Sequence, residues 1–135
     1  MADSDLPPGD AAPPATEAAA AATLPAVDAI GFAGPLFHFA RPDDWARAQR
    51  SGEYAPADYA REGFIHCATG EQVDGVIKRH LRGGGPRIRL RLDTEALRTH
   101  LQFEWSAASQ DLYPHLFAPI PLAAVLEAQP FDPDA

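Results

Sequence analysis

Three of the five histidines stand in short apolar runs. His38 lies in Leu36-Phe37-His38-Phe39, His66 in Phe64-Ile65-His66-Cys67, and His115 in Tyr113-Pro114-His115-Leu116-Phe117. A neutral imidazole carries one donor and one acceptor and titrates near physiological pH, so a ring held in such surroundings can move a proton or orient a ligand hydroxyl. It can equally be a satisfied core residue. His80 falls on a helical pattern and His100 before a strand, and both read as structural or exposed. Three imidazoles with an open position could also ligate zinc, but no His-x-His or His-Glu-x-x-His spacing accompanies them, so no metal is expected. Glu104 is the carboxylate nearest to this chemistry, either on the surface or in a pocket. Tyr54 and Tyr59, on an aperiodic stretch from Gly52 to Glu62, could line the same site or simply pack.

The elements that must hold these groups follow from periodicity. Leu36–Phe39 and Phe64–Cys67 read as strands, and period-two geometry puts Phe64 with His66 on one face and Ile65 with Cys67 on the other. His66 therefore cannot activate the neighbouring Cys67, which reads as a small buried hydrophobe. Pro42, Asp43 and Asp44 open a helix that Gly52 ends. Thr69-x-x-Gln72 matches a capping box, and Val73, Val76, Ile77, His80 and Leu81 predict an amphipathic helix to about Arg82. Its start lies a few residues beyond His66, where its free N–H groups could favour an anion.

Gly83-Gly84-Gly85-Pro86 is a turn without the Lys-Ser/Thr ending of a phosphate-binding loop. Arg87, Arg89 and Arg91 alternate with Ile88, Leu90 and Leu92 in a third strand, whose basic face reads as solvated rather than phosphate-binding. Asp93 caps a brief helical turn through Leu97. In the next strand Leu101, Phe103 and Trp105 share one face, and Gln102 and Glu104 the other. A last strand follows Pro121.

Totals bound the alternatives. The chain has 135 residues and a formal charge of −8. Of its first thirty residues eleven are alanine, five are acidic and none is Lys or Arg. Residues 1–33 are therefore expected to be a disordered tail and 34–132 a single α+β domain. The net charge disfavours nonspecific nucleic-acid binding. One cysteine excludes an internal disulfide and suits a reducing, cytoplasmic setting. No apolar run reaches the length of a membrane span, so a membrane partner is not expected. The residues name no protein partner; a small-molecule ligand is the expectation.

Several segments together carry a resemblance: LFHF before a Trp-containing helix, GFIHCATGEQV, IRLRLD, LQFE, LYPHLF and a terminal PLAAV. In this order, from Leu36 to Phe131, the chain resembles the small bacterial family known as domain of unknown function 952. The resemblance implies a fold similar to the ADP-ribosyltransferase superfamily, whose small, split, mostly antiparallel sheet with two main helices binds NAD in a cleft. It implies that His38 contacts the NAD ribose and that His66 is the second pocket residue, with Glu104 or His115 as the third. On this reading His38, His66, Glu104 and His115 would be catalytic, and His38, His66, Thr69 and Tyr54 would contact NAD. The family usually reads Ser-Arg-Gly-Gly after the glutamate, whereas Ser106 is followed by Ala107 and Ala108. A lost arginine removes a clamp for phosphate or carboxylate that alanine cannot supply. The alternative is a noncatalytic module that holds a small phosphorylated ligand or a partner segment in the same cleft.

Overall fold

In a computed structural model that describes residues 27–29 and 31–135, the alternating runs pair into two four-stranded sheets. The first has the order β1 (Val27–Asp28), β7 (Leu101–Ser106), β8 (Asp111–Leu116), β4 (Ile65–His66). The second has the order β10 (Val125–Phe131), β6 (Arg87–Leu92), β2 (Leu36–Ala40), β5 (Ala68–Thr69). A small ribbon joins β3 (Glu53–Tyr54) to β9 (Ile120–Pro121), and every pairing among the described residues is antiparallel. The architecture is thus α+β, with mostly antiparallel sheets and few helices.

The expected strand Phe64–Cys67 is divided between the sheets. Ile65 and His66 pair with β8, Ala68 and Thr69 with β2, and Cys67 is the single residue on which the chain crosses. Its N–H donates to Pro114 O at 3.0 Å, so the crossing is still tied to the first sheet. Both sheets feed one core: Leu36 and Leu90 from the second, and Ile65 and Leu116 from the first, are all 0 % exposed. Burying a side chain of this size removes roughly 1.5–3 kcal/mol of apolar exposure each.

Helix α1 (Pro42–Ser51) has Pro42 in its first turn with both acids, and ends at Gly52, whose φ of 90° lets its N–H reach Ala48 O at 2.8 Å. The stretch expected as a loop holds β3 and a single-turn helix α2 (Tyr59–Glu62) closed by Gly63 at φ 84°. The amphipathic helix departs from a regular one: α3 (Val73–Val76) runs into a π-helical turn, Ile77–Leu81. Of its apolar stripe only Leu81 is buried, because no element covers the rest fully. The capping box is half realised, with Gln72 Oε1 accepting from the Thr69 N–H at 3.1 Å. The amide nitrogen of Gln72 is taken by Asp111 Oδ2 and Leu112 O, which anchors this segment to β8. Helix α4 (Thr94–Leu97) carries the expected cap, with Asp93 Oδ1 accepting from the Ala96 N–H.

The boundary expected at residue 33 falls too late. Val27 and Asp28 pair with Phe103 and Gln102 of β7, and Ala29 is only 2 % exposed. Phe32 packs edge-on against Phe103, with ring centroids 5.2 Å apart. These contacts join the segment to residues some seventy positions away, which no local pattern could signal. The rest of the expected tail, residues 1–26 and Ile30, lies outside the described residues. Among the described residues no helix is long and apolar enough to cross a membrane.

Arg98 closes the segment onto the domain, since Nη1 donates to Ala29 O at 2.5 Å and to Phe32 O at 2.6 Å. Replacing it leaves two carbonyls short of a charged donor, at a cost of about 1–3 kcal/mol. Arg98→Ala is expected to speed amide exchange from Val27 to Phe32 while the amides of β6 stay protected. Equal loosening of both regions would show that Arg98 has no such local role.

Candidate functional site

On the first sheet the ladder places His66 directly opposite His115, and His115 directly opposite Gln102. Glu104, two residues along β7, is opposite Tyr113 and so shares the histidines' face; its carboxylate reaches diagonally to His115. His115 Nδ1–H donates to Glu104 Oε1 at 2.6 Å. His66 Nε2–H donates to Glu62 Oε1 at 3.1 Å. The two imidazoles meet edge to face, with centroids 5.1 Å apart. Phe64 stacks on His115 at 4.2 Å with 20° between the planes, and touches both His66 and Phe117.

The two pairs differ in exposure. The His66 side chain is 55 % exposed, whereas that of His115 is 14 % exposed beneath Phe64. Burial lowers the pKa of His115 from its ordinary value, and the bond to Glu104 only partly opposes this. His115 is therefore biased towards the neutral ring, with its proton held on Nδ1 by the carboxylate. Its Nε2 lone pair has no hydrogen-bond partner among the described residues. A carboxylate-oriented imidazole with a free Nε2 is the arrangement of a general base. The bond from His66 holds the Glu62 carboxyl below its usual range, so that group stays ionised beside the open ring.

His38 does not join this cluster, contrary to the expectation of three imidazoles in one cleft. It is 9 % exposed and lies behind the β4 backbone, where Nδ1 bonds His66 O at 2.5 Å. A carbonyl can only accept, so the proton sits on Nδ1 and Nε2 must accept from the Tyr54 hydroxyl, 2.7 Å away. Burial drives the pKa of His38 down to about 4, which keeps the ring neutral. Tyr54 is 1 % exposed, and burial pushes its hydroxyl well above the ordinary range. Both ring nitrogens of His38 and the Tyr54 hydroxyl are committed to one another and to the backbone. Neither residue is open to a nucleotide as expected; together they brace the strand that carries His66.

Thr69 lies at a cavity of about 390 Å³ shared with Gln72, Arg79, Asp111 and Tyr113. Tyr113 is opposite Glu104 in the ladder and receives a 2.7 Å bond from Arg79 Nη2, but neither histidine pair lines this cavity. Cys67 is buried, and burial raises its thiol pKa, so it is held as the neutral thiol. No three His, Cys, Asp or Glu side chains converge as a metal site among the described residues. Sequence reasoning missed Glu62, because α2 is a single turn within a stretch without periodicity. The shared face of Phe64 and His66 was the one available pointer to Phe64.

The buried neutral state of His38 makes stability pH-dependent. Its folded pKa, about 4, lies below its ordinary 6.5, so between those values the unfolded chain binds more protons. The contribution is full above about pH 6.5 and falls as the pH drops towards 4; a complete loss is on the order of 3 kcal/mol. The lowered pKa of His115 acts in the same direction. Denaturant melts across this range should show the loss, and His38→Gln should both lower stability at pH 7 by about 1–3 kcal/mol and flatten the profile. A variant with the full slope would remove His38 as its source.

Comparison with curated proteins finds no match. Among solved structures the fold is similar to protein CC0527 from Caulobacter crescentus. Its crystal structure is 25% identical with a TM-score of 0.64, covering 71% of this chain and 84% of that one. Its solution NMR structure gives 25% identity and a TM-score of 0.62, covering 73% of this chain and 84% of that one. Residues 39–128, which hold all four histidine and glutamate partners as well as the crossing at Cys67, match the family described as protein of unknown function (DUF952). The chain belongs to that family.

Proposed function

We propose that the face formed by His66, His115, Glu62 and Glu104 binds a small molecule of the NAD or ADP-ribosyl class, and that the Glu104–His115 pair acts on it. The observation that carries this reading is the 2.6 Å bond between His115 Nδ1 and Glu104, which leaves Nε2 as a free base beside an open imidazole. Cleavage of a nicotinamide–ribose bond develops positive charge at the anomeric carbon, and two carboxylates beside it would stabilise that charge. His115 Nε2 would take the proton of the attacking hydroxyl or amine. His66 would hold the ribose, the ring of Phe64 would cover the reacting centre, and Thr69 would contact the ligand from the cavity that it lines. The likeness to the ADP-ribosyltransferase fold is part of this proposal, supported by an antiparallel sheet split at the strand that carries His66.

A noncatalytic binding module on the same face is the second reading. It is favoured by the inward commitment of His38 and Tyr54, which leaves fewer groups to grip a dinucleotide.

Calorimetry with NAD and ADP-ribose, paired with a nicotinamide-release assay, tests both. Binding is expected, weakened on the order of tenfold by His66→Ala. Glu104→Gln is expected to slow nicotinamide release on the order of a hundredfold while ADP-ribose still binds. Binding without release by the wild-type chain would select the noncatalytic module. Absence of binding at millimolar nucleotide would end the nucleotide reading altogether.

A further inference from the structure

A second cavity, of about 500 Å³, is lined by Arg41, Asp43, Asp44, Arg47, Gly84 and Arg87 among others, and none of the histidine cluster borders it. Its charges are arranged unusually. The ladder between β2 and β6 ends at Ala40 opposite Ile88, which leaves Arg41 and Arg87 just past the last registered pair, where the charge of Arg41 acts on Arg87. Like charges that act on one another are destabilising, and a carboxylate is the usual relief. Neither arginine has one: among the described residues, no carboxylate lies within ion-pair distance of Arg41 or Arg87.

Arg87 is also only 7 % exposed. Its Nη1 is taken up by the carbonyls of Gly84, Gly85 and Pro86, at 2.7, 3.1 and 3.3 Å. Its Nε and Nη2 have no partner among the described residues, which leaves buried donors unused beside a cavity. Burial, and to a lesser degree the charge of Arg41, holds the Arg87 guanidinium below its usual value. A buried cation in this state calls for an anion. The nearby acids do not meet the need: Asp44 is engaged by Arg47 at 3.0 Å, and three arginines outweigh two aspartates on the lining.

We propose that a phosphate-type oxyanion binds between Arg41 and Arg87. Two guanidinium groups, one between β2 and α1 and one at the start of β6, offer planar donor pairs to a tetrahedral oxyanion, a geometry that lysine could not reproduce. Arg47 of the ten-residue helix α1 also lines the cavity, with its Nη1 paired to Asp44. The site is independent of the histidine cluster and of the function proposed for it. Its ligand is either free phosphate or the phosphoryl group of a larger molecule.

Thermal melts and calorimetry of the full chain with inorganic phosphate and with ADP-ribose, against chloride at matched ionic strength, test the site. Phosphate is expected to stabilise the protein saturably. Arg41→Gln should weaken that binding on the order of tenfold, yet leave the phosphate-free melting temperature unchanged or raised, because it removes a repulsion. A response to inorganic phosphate identifies the free anion. A response to ADP-ribose alone, lost in Arg41→Gln and kept in His66→Ala, identifies a phosphoryl group on a larger ligand. Phosphate stabilisation no greater than that by chloride together with an ADP-ribose response that is absent or that Arg41→Gln leaves intact, or a phosphate response that Arg41→Gln leaves intact, would overturn the proposal. So would a phosphate-free melting temperature lowered by Arg41→Gln, since that would make the arginine a structural stabiliser.

Discussion

The hydrogen bond from His38 Nδ1 to the carbonyl of His66 is the constraint on which the rest of the structure depends. The chain leaves one sheet and enters the other over a single residue, so the backbone there has few ladder bonds of its own. A buried imidazole from β2 supplies one from behind, and Tyr54 in turn holds the imidazole. Three groups that would each be costly to bury alone satisfy one another. The same bond dictates the tautomer of His38, and the low pKa that burial imposes keeps that tautomer intact at neutral pH.

That brace has a functional corollary. Because His38 works on the inner side of β4, the outer side is free to present His66 towards solvent, with His115 and Phe64 beside it. The two imidazoles then experience different electrostatics. One is open and bonded to Glu62, whose α2 turn brings it within reach; the other is covered by a phenyl ring and bonded to a cross-strand glutamate. Pairs of titratable groups in unlike environments are a common feature of sites that bind or transform small molecules. The arginine pair at the end of the second sheet is a separate electrostatic feature, set by ladder register rather than by the crossing.

Much of the local structure was legible in the residue pattern. Pro42 and Gly52 marked the ends of α1, Asp93 its cap on α4, and the alternation of Phe64-Ile65-His66-Cys67 assigned inner and outer faces. The face shared by Gln102 and Glu104 was likewise readable, and it is the face on which His115 lies. Three of the departures have different causes: a distant partner, incomplete cover and a local turn. Val27 and Asp28 are ordered by β7 and Arg98. The helix after Thr69 is only partly covered and winds into a π turn. Arg87, read as part of a solvated basic face, turns back onto its own glycine turn and is buried.

By itself the sequence determined the longer strands β2, β6 and β7, the ends of α1, the family resemblance and which residues alternate onto which face, because these depend on neighbours one to four positions away. It could not decide which histidines meet. His38 and His66 occupy equally apolar strands and look interchangeable along the chain. Only the pairing of β4 with β8, and of β2 with β5, turns one ring inward to brace the backbone and the other outward beside His115. That choice is set by contacts 28 or more residues apart, whose energies no local pattern encodes.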